Sequence, residues 1–153
     1  MKSTLNKELH HPPESDTTEP ISIFGYELLR DILIPSLLGK DTSEISYWAG
    51  KNIARKFPLL SIDEIYSFFQ EASWGHLLLI EEKRNGLKLE LSGKIVERRL
   101  QMQDDPSFRL EAGFIAEQIQ TQKQTVTEAY EEINKKKNNV LITVQWDRKD
   151  AIG

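Results

Sequence analysis

The hydrophobic period of this chain changes at Trp74-Gly75, and that change limits the folds open to it. Before it, apolar residues recur every three to four positions, the spacing of helices that bury one stripe. After it, "HLLLIEEKRNGLKLELSG" alternates with the period of a strand. A chain that places helices first, then a hairpin, then a further helix and strands reads as α+β. The expected architecture is a set of helices packed on one face of an antiparallel sheet.

Three helices are legible upstream of the switch. "FGYELLRDILIPSLLGKD" sets Phe24, Leu28, Leu29, Ile32, Leu33 and Leu37 at helical spacing, with Pro35 placed to kink it and Gly39 to stop it. Ile34 and Leu38 widen its apolar surface beyond one stripe. Asp41 with Glu44 has the spacing of a capping box, opening a helix whose apolar face carries Ile45, Trp48, Ala49, Ile53 and Phe57. Ser61 with Glu64 repeats that signal ahead of Ile62, Ile65, Phe68, Phe69 and Ala72. In the hairpin, Asn85-Gly86 predicts a type I′ turn. That turn would pair Glu82 with Leu89, and set Leu78, Ile80, Leu87, Leu89 and Leu91 on one face.

Downstream, "KIVERRLQMQDDP" fits either a short helix or an irregular crossing. "FRLEAGFIAEQIQ" is helical, with Gly113 in its interior, where glycine costs ~1 kcal/mol relative to alanine. "NNVLITVQWD" is a strand with Val140, Ile142, Val144 and Trp146 inward. Residues 124–133 stay open between strand and helix. Residues 1–20 are polar and proline-bearing, which predicts a disordered tail ahead of one domain over 21–150.

Composition narrows the function classes. A net charge of −4 argues against nucleic acid or an anionic membrane as partner. The chain has no cysteine, which excludes disulfides, thiolate metal sites and thiol acylation, and suits a reducing cytoplasm. No apolar run has the length of a membrane span. No catalytic, cofactor or metal motif stands out. His10-His11 offers two ligands where closed zinc sites need three or four. Glu111 reads as part of a solvated helix face, His76 as structural, and Arg98-Arg99 as surface charge. Small residues inside apolar stripes are more informative: Ala49-Gly50 with Ala54, and Ala112-Gly113 with Ala116. They fit either close packing of helices or the floor of a channel for an aliphatic ligand.

"YWAGKNIARKFPL", "WG", "FRLEAGFIAEQIQ" and "ITVQWD", in that order, resemble the YslB-like family of Gram-positive bacteria. That family is similar in turn to vinyl-reductase-type small-molecule-binding domains and to Bet-type subunits of the Golgi transport particle. "EAGFIAE" resembles their Gly-Phe-x-x-Gly segment, with Glu117 where a second glycine is common. The resemblance implies a four-stranded antiparallel sheet covered by helices, often as a dimer, with residues 124–133 in a second hairpin. It tips the expectation toward a non-enzymatic cytoplasmic domain that needs no cofactor and binds a hydrophobic small molecule or acyl chain non-covalently. The expected lining is Trp48, Trp74, Phe108, Gly113, Phe114 and Ala116. The alternative is a protein–protein interaction module with a filled core, acting as a homodimer or through a partner. Because residues 1–20 offer little apolar surface, deleting them should leave the melting temperature almost unchanged; a loss of several degrees would show that they dock on the domain.

Overall fold

The computed structural model describes residues 20–152, so the expectation for the N-terminal tail and His10-His11 lies outside the described residues. Helix α1 is built of Ile23–Glu27, a π-helical turn Leu28–Leu33, and Ile34–Leu38. Pro35 lacks the N–H that would close the ladder onto Asp31, and the ladder widens just ahead of it, Ile34 N–H donating to the Leu29 carbonyl. Gly39 ends the helix at φ +58°. There follow α2 (Thr42–Lys56), α3 (Ile62–Glu71), β1 (His76–Lys83), β2 (Gly86–Ser92), α4 (Lys94–Met102), α5 (Arg109–Lys123), β3 (Thr125–Asn134) and β4 (Asn139–Ala151). The sheet is antiparallel throughout, in the order β1-β2-β4-β3. The α+β architecture expected from the period switch is therefore present, and of residues 124–133, Gln124 caps α5 in the left-handed conformation while the rest lie in hairpin strand β3.

Local signals fared unevenly. Ser61 caps α3 by accepting from Glu64 N–H at 3.3 Å, and Glu64 reaches back to Leu60 N–H. Asp41 makes no side-chain cap; Thr42 instead donates to the Gly39 carbonyl at 2.6 Å. The first hairpin turns at Arg84-Asn85, with Lys83 opposite Gly86 and Glu82 opposite Leu87. Gly86 is required elsewhere: a Cβ there would strike the Val144 carbonyl of β4. A bulge between Leu79 and Glu81 then shifts the strand, so Leu77 and Leu79 oppose Leu91 and Leu89 while Leu78 and Ile80 face out.

Helix α5 runs through the middle of the molecule, with every residue from Glu111 to Ile119 buried. Such a helix has no solvated face, so stripe reading cannot orient it. Its crossing with α2 brings backbone onto backbone. A Cβ on Gly113 would overlap the Tyr47 carbonyl, and one on Gly50 would overlap the Leu110 carbonyl and lie 2.8 Å from Phe114 N. Gly50 and Ala54 are thus the buried positions of α2, while Trp48 points away. Polar groups on α5 are satisfied by neighbours. Gln118 accepts from Leu59 N–H at 3.0 Å and donates to the Phe57 carbonyl at 2.8 Å, and Glu117 pairs with Arg55 at 3.1 Å.

Overpacking of a core typically costs about 1–3 kcal/mol, and rigid backbone yields less than a side chain does. Gly113→Ala and Gly50→Ala should each lose at least that much in urea denaturation. A neutral or stabilised variant would show that the two helices are not in contact at these positions.

Candidate functional site

Burial of Glu111 on α5 demands a cation, because an unpaired carboxylate cannot be held away from water at acceptable cost. Arg30 of α1 supplies it: its guanidinium pairs with Glu111 Oε1 and donates to the Tyr26 hydroxyl at 2.8 Å. A second buried pair lies alongside. Arg99 of α4 donates to Asp31 at 2.8 Å, donates to the Ser107 carbonyl at 2.7 Å, and lies over the Phe108 ring at 4.4 Å. Arg98 adds a third contact to α1, 2.8 Å from buried Glu27. Arg99 Nη1 and Glu111 Oε2 face one another at 3.6 Å, and neither makes a hydrogen bond among the described residues. Burial opposes the charge on Arg30, but the Glu111 carboxylate and Tyr26 outweigh it and hold the guanidinium above its ordinary pKa. Burial likewise pushes the Tyr26 phenol up.

Some of these groups border one end of an open cleft of about 930 Å³. Arg30, Asp31, Arg99 and Ser107 lie at that end, with Arg109, which is paired to Glu131 at 2.9 Å. The walls carry Ile34, Pro35 and Leu38 from α1, Ile45 and Ala49 from α2, and Leu110 from α5, with Thr42, Ser43 and Ser46 of α2 set among them and Lys40, Asp104 and Asp105 at the rim. The arginines of the cleft are each already matched by a carboxylate. The surface therefore combines an apolar strip, flanked by hydroxyl side chains, with charges that come close to cancelling. No cluster of His, Asp or Glu able to hold a metal ion occurs among the described residues.

None of the six residues expected from sequence to line a site borders this cleft. Trp74 and Phe114 are brought together, ring centroids 5.2 Å apart, in a cluster where Phe68 stacks on Phe114 at 4.5 Å. Phe108 lies under Arg99, and Ala116 is buried in the core. Gly113 touches the α2 backbone, and Trp48 is 59% exposed on the outer side of α2. Two expectations are corrected: Glu111 is fully buried rather than solvated, and Arg99 is paired in the interior rather than on the surface. Arg30, Asp31 and Glu27 were missed. The available signal was three charges at i, i+3 and i+4 within an otherwise apolar helix, which point to a charged inner face.

A family described as a protein of unknown function (DUF2507) matches residues 23–145. The chain belongs to the DUF2507 family. It is 48% identical over 152 residues to the "Uncharacterized protein YslB" of Bacillus subtilis (strain 168), covering 99% of this chain and all of that one. Among solved structures, it is similar to a vinyl-4-reductase family protein from Methanocaldococcus jannaschii, with a TM-score of 0.63 and 17% identity over 95% of this chain and 94% of that one. That likeness places this DUF2507 chain in the same fold.

Removing one partner of a buried ion pair typically costs about 3–5 kcal/mol, because the other charge is stranded. Arg99→Met should therefore destabilise this DUF2507 protein by about that amount. The double variant Arg99→Met/Asp31→Leu should recover part of the loss. Equal loss in single and double variants, measured by urea denaturation, would show that Asp31 and Arg99 are not coupled.

Proposed function

We propose that this chain is a non-enzymatic domain that holds a hydrophobic small molecule or acyl chain by apolar contact, without a covalent bond, in the cytoplasm. The seat is the cleft between α1 and α2. The observation that carries this reading is the apolar strip of Ile34, Pro35, Leu38, Ile45 and Ala49, set in a cleft of about 930 Å³. That volume is of the order of small-molecule sites, which run from roughly 300 to 1,000 Å³. The arginines at its end are each engaged by a carboxylate, which favours apolar contact over ion pairing as the source of affinity. The same mutual pairing speaks against a poised acid or base. The resemblance to vinyl-reductase-type ligand-binding domains points the same way. The close packing of helix backbone and of the Phe68–Trp74–Phe114 cluster near Gly113 supports the cleft over the interior as the seat.

A second reading, an interaction module working as a homodimer, is favoured by one observation: α1 turns an apolar face outward.

For the ligand reading, a fluorescent long-chain fatty acid should bind the wild type, and the matching fatty alcohol should displace it comparably. Ala49→Trp should obstruct the apolar strip and weaken binding while the protein stays folded. An absence of probe binding, with native mass spectrometry showing only the bare polypeptide mass, would overturn the reading.

A further inference from the structure

Helix α1 is amphipathic in the reverse of the usual sense. A surface helix ordinarily turns its apolar stripe to the core and its charges to water. Here Glu27, Arg30 and Asp31 face inward onto Arg98, Glu111 and Arg99, while Phe24, Leu28, Leu29, Ile32, Leu33 and Leu37 are 41–73% exposed. The π-helical turn is what sorts the two sets. A regular helix would carry Leu33 and Leu37 round toward the charged side; the wider turn keeps them with Phe24 and Leu28 and leaves Ile34 and Leu38 on the cleft. Gly25 adds an independent observation. Glycine is costly inside a helix, yet a Cβ at Gly25 would meet nothing within 4 Å, so no contact among the described residues accounts for it.

We propose that the outward face of α1 is where a second copy of this chain docks, antiparallel and around a two-fold axis, with the buried ion pairs holding the face in position. This rests on the homodimer reading above and names its surface. At about 180 Å² for a whole large apolar residue, the six exposed side chains offer roughly 600 Å² per copy, or about 1,200 Å² across a two-fold contact, where stable interfaces of standard size begin. In a two-fold contact each copy presents the same patch, so one apolar face is complementary to itself. Gly25 lets the second helix approach closely. Two other occupants fit less well. The chain's own residues 1–20 bring only Met1, Leu5 and Leu9 as large apolar side chains, too few to cover the face. A membrane-surface helix carries free Lys and Arg beside its apolar face, whereas the cation of α1, Arg30, is buried on Glu111.

Sedimentation velocity of the full chain at low micromolar concentration tests this, beside vesicle pelleting with phosphatidylcholine and phosphatidylglycerol. The wild type should be a dimer. Leu29→Lys and Gly25→Leu should each raise the dimer Kd by roughly tenfold or more, with circular dichroism unchanged. Gly25→Leu keeps the test sound if Leu29→Lys misfolds, since a Cβ there meets open space among the described residues. A dimer indifferent to both variants would overturn the assigned face while leaving the homodimer reading standing. A wild type that stays monomeric at about 100 µM would overturn both. Wild type that pellets with vesicles as a monomer, with Leu29→Lys left in solution, would assign the face to a membrane and overturn the proposal.

Discussion

The contact of α2 with α5 at Gly50 and Gly113 is the constraint from which the rest of the architecture follows. Two helices can approach backbone to backbone only where neither carries a Cβ in the way. The approach draws α5 into the centre of the layer, covered by helices on one side and the sheet on the other. Once α5 has no wet face, each polar group on it needs a partner from a neighbour. Glu111 takes Arg30 from α1, Glu117 takes Arg55 from α2, and Gln118 takes the backbone on both sides of Pro58. The charges of α5 thereby decide which elements sit around it.

The ion pairs beneath α1 have a different physical role from the apolar core. Buried pairs contribute little net stability compared with apolar contacts of the same volume. Their value lies in geometry. Arg99 reaches both Asp31 and the Ser107 carbonyl, while Arg30 reaches Glu111 and, at 3.4 Å, that same carbonyl, so α1 can satisfy them in one position and one rotation. An apolar inner face could slide. This one cannot without stranding a charge.

The α+β class was legible because helical and strand periods are local properties, and the switch at Trp74-Gly75 separates them. Capping at Ser61 was legible for the same reason, as were the inward residues of β4. The hairpin register was not, because Gly86 reads as a turn residue yet is needed by the close passage of β4, a strand more than fifty residues away. The buried ion pairs beside the cleft were illegible for a related reason. A stripe analysis assigns a glutamate such as Glu111 to water, and only the all-round burial of α5 reverses that. Small residues around Gly113 and Gly50 gave a true signal of close approach, and the structure shows that what approaches is helix backbone.

The ion pairs of α1 also set a clock on synthesis. Asp31 and Arg99 are 68 positions apart in the chain, and Arg30 and Glu111 are 81 apart. At roughly 5–20 residues per second, the ribosome delivers those partners about 3–16 s after α1 itself. For that interval α1 has its apolar surface and no place to sit. The nascent chain thus exposes this apolar helix well before its anchors, and its safe passage depends on how that interval is handled in the cell.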